Sequence, residues 1–313
     1  MTRAFIFPGQ GAQTIGMGRD LAEAYPAARA VFDEVDAALG EKLSALIWEG
    51  DQDTLTLTEN AQPALMATSI AALRALEAEG VGIGAASYVA GHSLGEYTAL
   101  TAAGALTVTD AARLLRARGK AMQAAVPVGE GAMAAILGLD LAAVRAVVAQ
   151  TAKGEVLAAA NDNDPAQVVI SGAKAAVERA VEVAKEKGAK RAVLLPVSAP
   201  FHCDLMDPAA DVMAEALDDV NIAEPKVPLV ANVRASAVTD VTLIRNLLVE
   251  QVCGAVRWRE SVEYMVAKGV TEFWEIGAGK ALSGMVRRID RSAAVRNIGT
   301  AAEVVAAAES LKG

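Results

Sequence analysis

The sequence predicts an α/β fold: a parallel sheet packed between helices, with a smaller inserted subdomain. Three observations carry that expectation. The chain has 313 residues, enough for one large domain, or a main domain carrying a smaller one, with a sizeable core. Its residues are 53% hydrophobic but only 4% aromatic, so small aliphatic side chains must fill the space between closely spaced helices and strands. Short apolar runs also alternate with helical periodicities along much of the chain, the rhythm of strands joined by crossover helices.

The first element is the apolar run Ala4-Phe5-Ile6-Phe7, which leads straight into Pro8-Gly9-Gln10-Gly11. Glycines there let the backbone bend sharply and expose its N–H groups, as a binding loop requires. The loop is not a dinucleotide fingerprint, because Thr14 holds the place of the third glycine, and no GxxxxGK[ST] run occurs. A helix is expected over Ala64 to Glu79, with Asn60 before it, Pro63 in its first turn and Gly80 past its end. The strand Ser87 to Ala90 then runs into Gly91-His92-Ser93-Leu94-Gly95-Glu96 and a helix from near Tyr97.

Between about 127 and 196 the rhythm changes. Strand 132–137, helix 141–151, strand 156–160, a turn over 161–165, strand 167–171, helix 173–187 and strand 191–197 give the order βαββαβ. That is the periodicity of a ferredoxin-like insert, with Ser171 as a helix cap and Gly188 as a helix stop. The expected division is a large domain of residues 1–126 and 197–313 and a subdomain of 127–196. The βα rhythm then resumes with strand 228–233, helices near 240–251 and 259–268, strand 272–276, a helix from Lys280, strand 294–298 and a closing helix.

Composition excludes several function classes. Lys and Arg number 29 against 38 Asp and Glu, a net charge of −9, which is the wrong sign for a general nucleic-acid binder. No apolar stretch reaches the roughly 18 to 20 residues of a membrane span, and the opening apolar run is too short for a signal peptide, so the expected location is the cytoplasm. Cys203 and Cys253 cannot make a disulfide scaffold, and two Cys and two His without ligand spacing make zinc a poor fit. Both thiols read as small hydrophobes.

Gly91-x-Ser93-x-Gly95 between a strand and a helix has the form of a nucleophile elbow, whose small flanking residues permit a strained turn that lifts the serine oxygen into solvent. The bland reading is a tight βα connection with a capping serine. A serine nucleophile needs a base, and the chain has only two histidines. His92 adjoins Ser93, and consecutive side chains diverge, so elimination leaves His202 in the loop Pro200-Phe201-His202-Cys203. Projected on a helix, Arg113, Arg116 and Lys120 share one face, whereas Arg118 falls among Leu114, Leu115, Ala121 and Met122. A guanidinium on an apolar face needs an anion, either a structural carboxylate or the carboxylate of a ligand.

Phe7-Pro8-Gly9-Gln10-Gly11-Ala12-Gln13, Gln62-Pro63-Ala64-Leu65, Gly91 to Glu96, Arg118-Gly119-Lys120-Ala121-Met122, Val197 to His202 and Ser261-Val262-Glu263-Tyr264-Met265 form an ordered set of six motifs across nearly the whole chain. In this order they resemble the malonyl-CoA:acyl carrier protein transacylases of fatty acid synthesis. The resemblance implies a large α/β-hydrolase-like domain with a ferredoxin-like insert. It also implies that Ser93 is acylated, that His202 is its base and that Arg118 holds the free malonyl carboxylate. Gln62 and Phe201 would contact substrate, the amides of Gln10 and Leu94 would form the oxyanion hole, and the main-chain carbonyl of Gln251 would orient the histidine. Phe201 stands where many relatives have Ser, and is similar to the bulky residue that leaves malonyl-selective acyltransferases little room for an α-methyl branch. Cys253-Gly254-Ala255 and Ala278 also depart from the more usual pattern.

No cofactor is implied, since malonyl-CoA is a substrate; the implied partners are holo acyl carrier protein and coenzyme A, and the expected state is a monomer. Both partners are anionic, so docking on a net-negative chain needs local positive surface. The candidates are Lys185, Lys187, Lys190 and Arg191 on the insert, or Arg287, Arg288 and Arg291 on a late helix. Two rivals stand beside this reading: a serine hydrolase such as a thioesterase, using the same Ser93 and His202 with water as acceptor, and a non-catalytic carrier-docking module.

Overall fold

The computed structural model describes residues 2–197 and 199–311. Its strands in chain order are β1 Thr2–Phe7, β2 Tyr88–Gly91, β3 Gly131–Leu137, β4 Leu157–Asp164, β5 Gln167–Ala173, β6 Arg191–Leu194, β7 Leu229–Ala231, β8 Ser236–Val238, β9 Val270–Ile276 and β10 Ala294–Ile298. Six of them form one sheet in the order β10-β9-β1-β2-β7-β8, parallel except for the β7–β8 pair. Helices cover both faces, as a parallel sheet demands. The alternation of β1 shows this directly: Phe5 and Phe7 pack in one apolar layer, Ala4 and Ile6 in another.

The other four strands form an antiparallel sheet in the order β4-β5-β3-β6, with helices Leu141–Thr151 and Lys174–Glu186 as its crossovers. This is the arrangement of a ferredoxin-like unit, as the βαββαβ periodicity predicts. Gly188, at φ +94°, stops the second helix as expected.

Parallel pairing sets the site. The register Phe7↔Gly91 ends β1 and β2 side by side, so the loop after Phe7 and the elbow after Gly91 leave the same edge of the sheet. Open α/β sheets bind ligands outside these carboxyl ends.

Several local expectations need correction. The helix expected from Ala64 begins at Thr58 and runs to Ala78, so Asn60 and Pro63 lie inside it rather than at its start. Its early turns are held by burial, and the Asn60 amide is spent on the Thr54 carbonyl instead of a cap. Residues 161–164, read as turn, continue β4. Their low strand propensity is overridden by tertiary partners: Asp162 pairs with Arg259 and Asp164 with Arg288, while Asn161 and Asn163 line a cavity. Ser171 caps nothing, because β5 continues to Ala173; its hydroxyl meets the Cys203 sulfur instead. Four helices between Arg19 and Thr56, the helix Asp207–Asp218 and the three-residue β8 went unpredicted.

Candidate active site

The elbow is built by steric exclusion. A Cβ at Gly91 would sit 1.9 Å from the Gly95 carbonyl, and one at Gly95 would sit 2.4 Å from the Phe7 carbonyl oxygen, so neither position admits a side chain. Between them Ser93 has φ +54°, a left-handed conformation rare for a residue with a side chain. Helix Gly95–Ala102 starts immediately afterwards, aiming the positive end of its dipole at the turn.

Ser93 Oγ lies 2.8 Å from His202 Nε2, although 109 residues separate them. His202 also has positive φ, at +60°, so both members of the pair occupy strained backbone. Its Nδ1 donates to the Gln251 carbonyl at 2.9 Å and more weakly to that of Gly254 at 3.2 Å. Gln251 is in the last turn of helix Val241–Cys253, where carbonyls lack intrahelical partners. A helix end therefore fixes the tautomer that an aspartate fixes in other sites. Burial first, and then the positive charge of Arg118, push His202 down to about 3, so the ring is neutral and able to accept a proton.

Arg118 is 1% exposed, so it points inward as helix projection predicts. Its guanidinium donates to Gln62 Oε1 at 2.9 Å, Gln251 Oε1 at 2.8 Å and Ser93 Oγ at 3.2 Å, all neutral oxygens. Among the described residues no carboxylate forms a salt bridge with it. Glu96 stands one amide away, its Oε2 taking the other end of the Gln251 side chain at 2.9 Å. The neighbouring Gly119 admits helix Val108–Ala124 to this depth, because a Cβ there would lie 2.5 Å from the Glu59 backbone. Burial lowers the Arg118 pKa while Tyr97 and Glu96 oppose the shift, and the group stays cationic.

A cavity of about 430 Å³ opens over these groups; Gln10, Leu94, Met133 and Phe201 line it beside Ser93 and His202. Gln10 lies in the loop after β1 and Leu94 in the elbow, and both residues line the cavity. Neither amide is hydrogen-bonded among the described residues. Within the Val197–His202 motif, Ser198 lies outside those residues. The basic positions are exposed: Lys185, Lys187, Lys190 and Arg191 run from the end of helix Lys174–Glu186 to the start of β6, and Arg287 and Arg288 lie in the last turn of helix Ala281–Ile289 with Arg291 just beyond it. Leu195 and Pro196 after β6, and Met285 of that helix, line the cavity. Both cysteines are free, and burial raises both thiols.

Sequence reasoning missed Asn232 and the role of Glu96. Glu96 is fully buried, and burial raises its carboxyl to about 7 despite hydrogen bonds from Gln251 and the Asn232 amide. A folded-state acid weaker than its unfolded counterpart loses stability as pH rises from about 4.5 to about 7, here by about 3 kcal/mol. Glu96→Gln removes that dependence. Urea unfolding of both proteins across this window should show the wild type losing stability relative to the variant as pH rises; parallel curves would contradict the assignment.

Comparison with known proteins shows the family of the chain. The family model described as the acyl transferase domain matches residues 4–306. The malonyl CoA-acyl carrier protein transacylase of Bacillus subtilis (strain 168) is 52% identical over 289 residues, covering 92% of this chain and 90% of that one. The crystal structure of acyl-carrier-protein-S-malonyltransferase from Bartonella henselae is 56% identical, superposes with a TM-score of 0.98 and covers 100% of both chains. A malonyl-transacylase in complex with its type II PKS acyl carrier protein, in the holo form, is 42% identical, with a TM-score of 0.96 over 99% of this chain and 100% of that one. With an elbow serine, a histidine and a buried arginine converging in a fold shared over its full length, this chain belongs to the malonyl-CoA:acyl carrier protein transacylase family of acyl transferases.

Proposed function

We propose that the chain moves a malonyl group from malonyl-CoA to the phosphopantetheine thiol of holo acyl carrier protein, supplying extender units for fatty acid synthesis. One observation carries the reading: a buried cation that no carboxylate among the described residues pairs with in a salt bridge, 3.2 Å from the nucleophilic oxygen. In malonyl the free carboxylate carbon lies about 2.5 Å from the thioester carbon, two single bonds away. An arginine in contact with Ser93 Oγ can therefore hold the carboxylate while the serine reaches the thioester, and acetyl offers it nothing.

His202 Nε2 takes the Ser93 proton as Oγ attacks the thioester carbon. The oxyanion forms at the free amides of Gln10 and Leu94, donors fixed before the reaction and strengthened at Leu94 by the helix start. The imidazolium is held by the Gln251 carbonyl. Its proton goes to the departing coenzyme A thiolate, leaving a malonyl ester on Ser93. The carrier thiol then enters, gives its proton to His202 and displaces the serine by the same path reversed. Gln62 fixes Arg118, and Phe201 narrows the space beside the α-carbon.

The chain divides into a large domain of 1–126 and 197–313 and an insert of 127–196, a reading that the separation into two sheets supports. The reaction needs no cofactor and suits a cytoplasmic monomer; no helix among the described residues is long and apolar enough to cross a membrane. The carrier docks on Lys185, Lys187, Lys190 and Arg191, leading into β6, or on Arg287, Arg288 and Arg291 at the end of helix Ala281–Ile289. Mass spectrometry of the intact protein tests the whole reading. Mixing with malonyl-CoA should add one malonyl mass, and holo carrier protein should then remove it and gain it. Release as free malonate would instead identify a hydrolase.

A further inference from the structure

Asn232 follows the last residue of β7, is 1% exposed, and has every kind of polar group it carries engaged. Its side-chain oxygen accepts from the Ser93 amide at 2.8 Å, and its side-chain nitrogen donates to the Gly91 carbonyl at 2.7 Å. Its backbone N–H donates to Glu96 Oε2 at 3.0 Å, and its carbonyl accepts from the Arg257 amide at 3.1 Å. One side chain thus bridges the residue before the elbow histidine and the nucleophile itself. The adjoining β2–β7 pairing, Ala90↔Val230, brings it there.

We propose that Asn232 is the positioning residue of the nucleophile elbow: by clamping Gly91 and Ser93 together it holds the serine in its left-handed conformation. This rests on the reading of Ser93 as nucleophile. A non-glycine residue with positive φ persists only where its surroundings over-determine it, and these two bonds span the turn that must not relax. The clamp also assigns the oxyanion donors. Ser93 N–H is consumed by Asn232, so within the elbow the available amide is that of Leu94. Without the clamp, Oγ can drift from His202 while Arg118 keeps its bonds to Gln62 and Gln251.

The test measures single-turnover acylation by malonyl-CoA, read as malonyl mass on the intact protein, for wild type, Asn232→Ala and Asn232→Asp. Asn232→Ala should acylate about 100-fold more slowly, the scale of a reacting atom misplaced by about an ångström, with half-saturation by malonyl-CoA within about twofold of wild type. Asn232→Asp is nearly isosteric. Its neutral carboxyl can accept from Ser93 N–H and donate to the Gly91 carbonyl, whereas its anion would face that carbonyl oxygen.

The introduced group would be buried beside Glu96, whose carboxyl accepts from the backbone amide of residue 232, with Ser93, His92, His202 and Arg118 in the surrounding cluster; on the far side Arg257 gives its backbone amide to the carbonyl of residue 232 and its guanidinium to the Val233 carbonyl. Burial and the like charge of Glu96 would favour its neutral form. The ratio of the Asn232→Asp rate to the wild-type rate should therefore approach one at the acid end of about pH 5 to 8 and fall toward the alkaline end, the Glu96 titration being common to both proteins. Wild-type acylation by Asn232→Ala, or a loss in Asn232→Asp that ignores pH, would overturn the clamp. Failure of the wild type itself to acylate would instead remove the reading of Ser93.

Discussion

Ser93→Ala gains no malonyl mass on mixing with malonyl-CoA, and its turnover falls on the order of a millionfold, the scale seen when a serine nucleophile is removed from such a pair. The expectation rests on geometry that no other described residue lining the cavity reproduces. Among the described residues Ser93 alone has a hydroxyl within 2.8 Å of a neutral imidazole. Cys203, the neighbour of that imidazole in sequence, is buried, its thiol is raised by burial, and its sulfur is turned toward Ser171 and the Pro200 carbonyl. Deleting one oxygen leaves the elbow intact, because the strain is set by Gly91, Gly95 and the Asn232 bonds rather than by the hydroxyl. The variant should fold, bind malonyl-CoA and stop. Label on Ser93→Ala at any other residue would mean a different nucleophile.

How much of this was legible beforehand follows from which interactions are local. The elbow was readable because its constraint is steric and spans five residues, Gly91 to Gly95. The inward turn of Arg118 was readable because helical periodicity alone decides it, and the βαββαβ insert because strand and helix periods differ. What Arg118 meets was not readable: Gln62 and Gln251 lie 56 and 133 residues away, and no local pattern ties them together. Asn232 gave no signal for the same reason, since one Asn after a short strand is ordinary until the sheet order sets it beside Gly91. The strand at 161–164 was misread because Asn and Asp favour turns locally, and the two arginines that compensate them arrive from 259 and 288.

The ligands of Arg118 also decide what its removal does. Arg118→Ala should lower kcat/KM for malonyl-CoA by about 100- to 1000-fold, the cost of losing one partner of a buried, charge-assisted pair. Acetyl-CoA has no carboxylate to lose, so its kcat/KM should hold or rise. A rise has a physical cause: the Arg118 charge depresses the basicity of His202, and a bound malonyl carboxylate cancels that charge while acetyl does not. The malonyl carboxylate thus acts twice, anchoring the substrate on the cation and restoring the base once it is held. Deleting the cation frees the base for every acyl group alike and removes the grip on one. Steady-state kinetics with both thioesters reads the ratio directly, and parallel losses for malonyl and acetyl would place Arg118 in the architecture of the cavity rather than in selection of the acyl group.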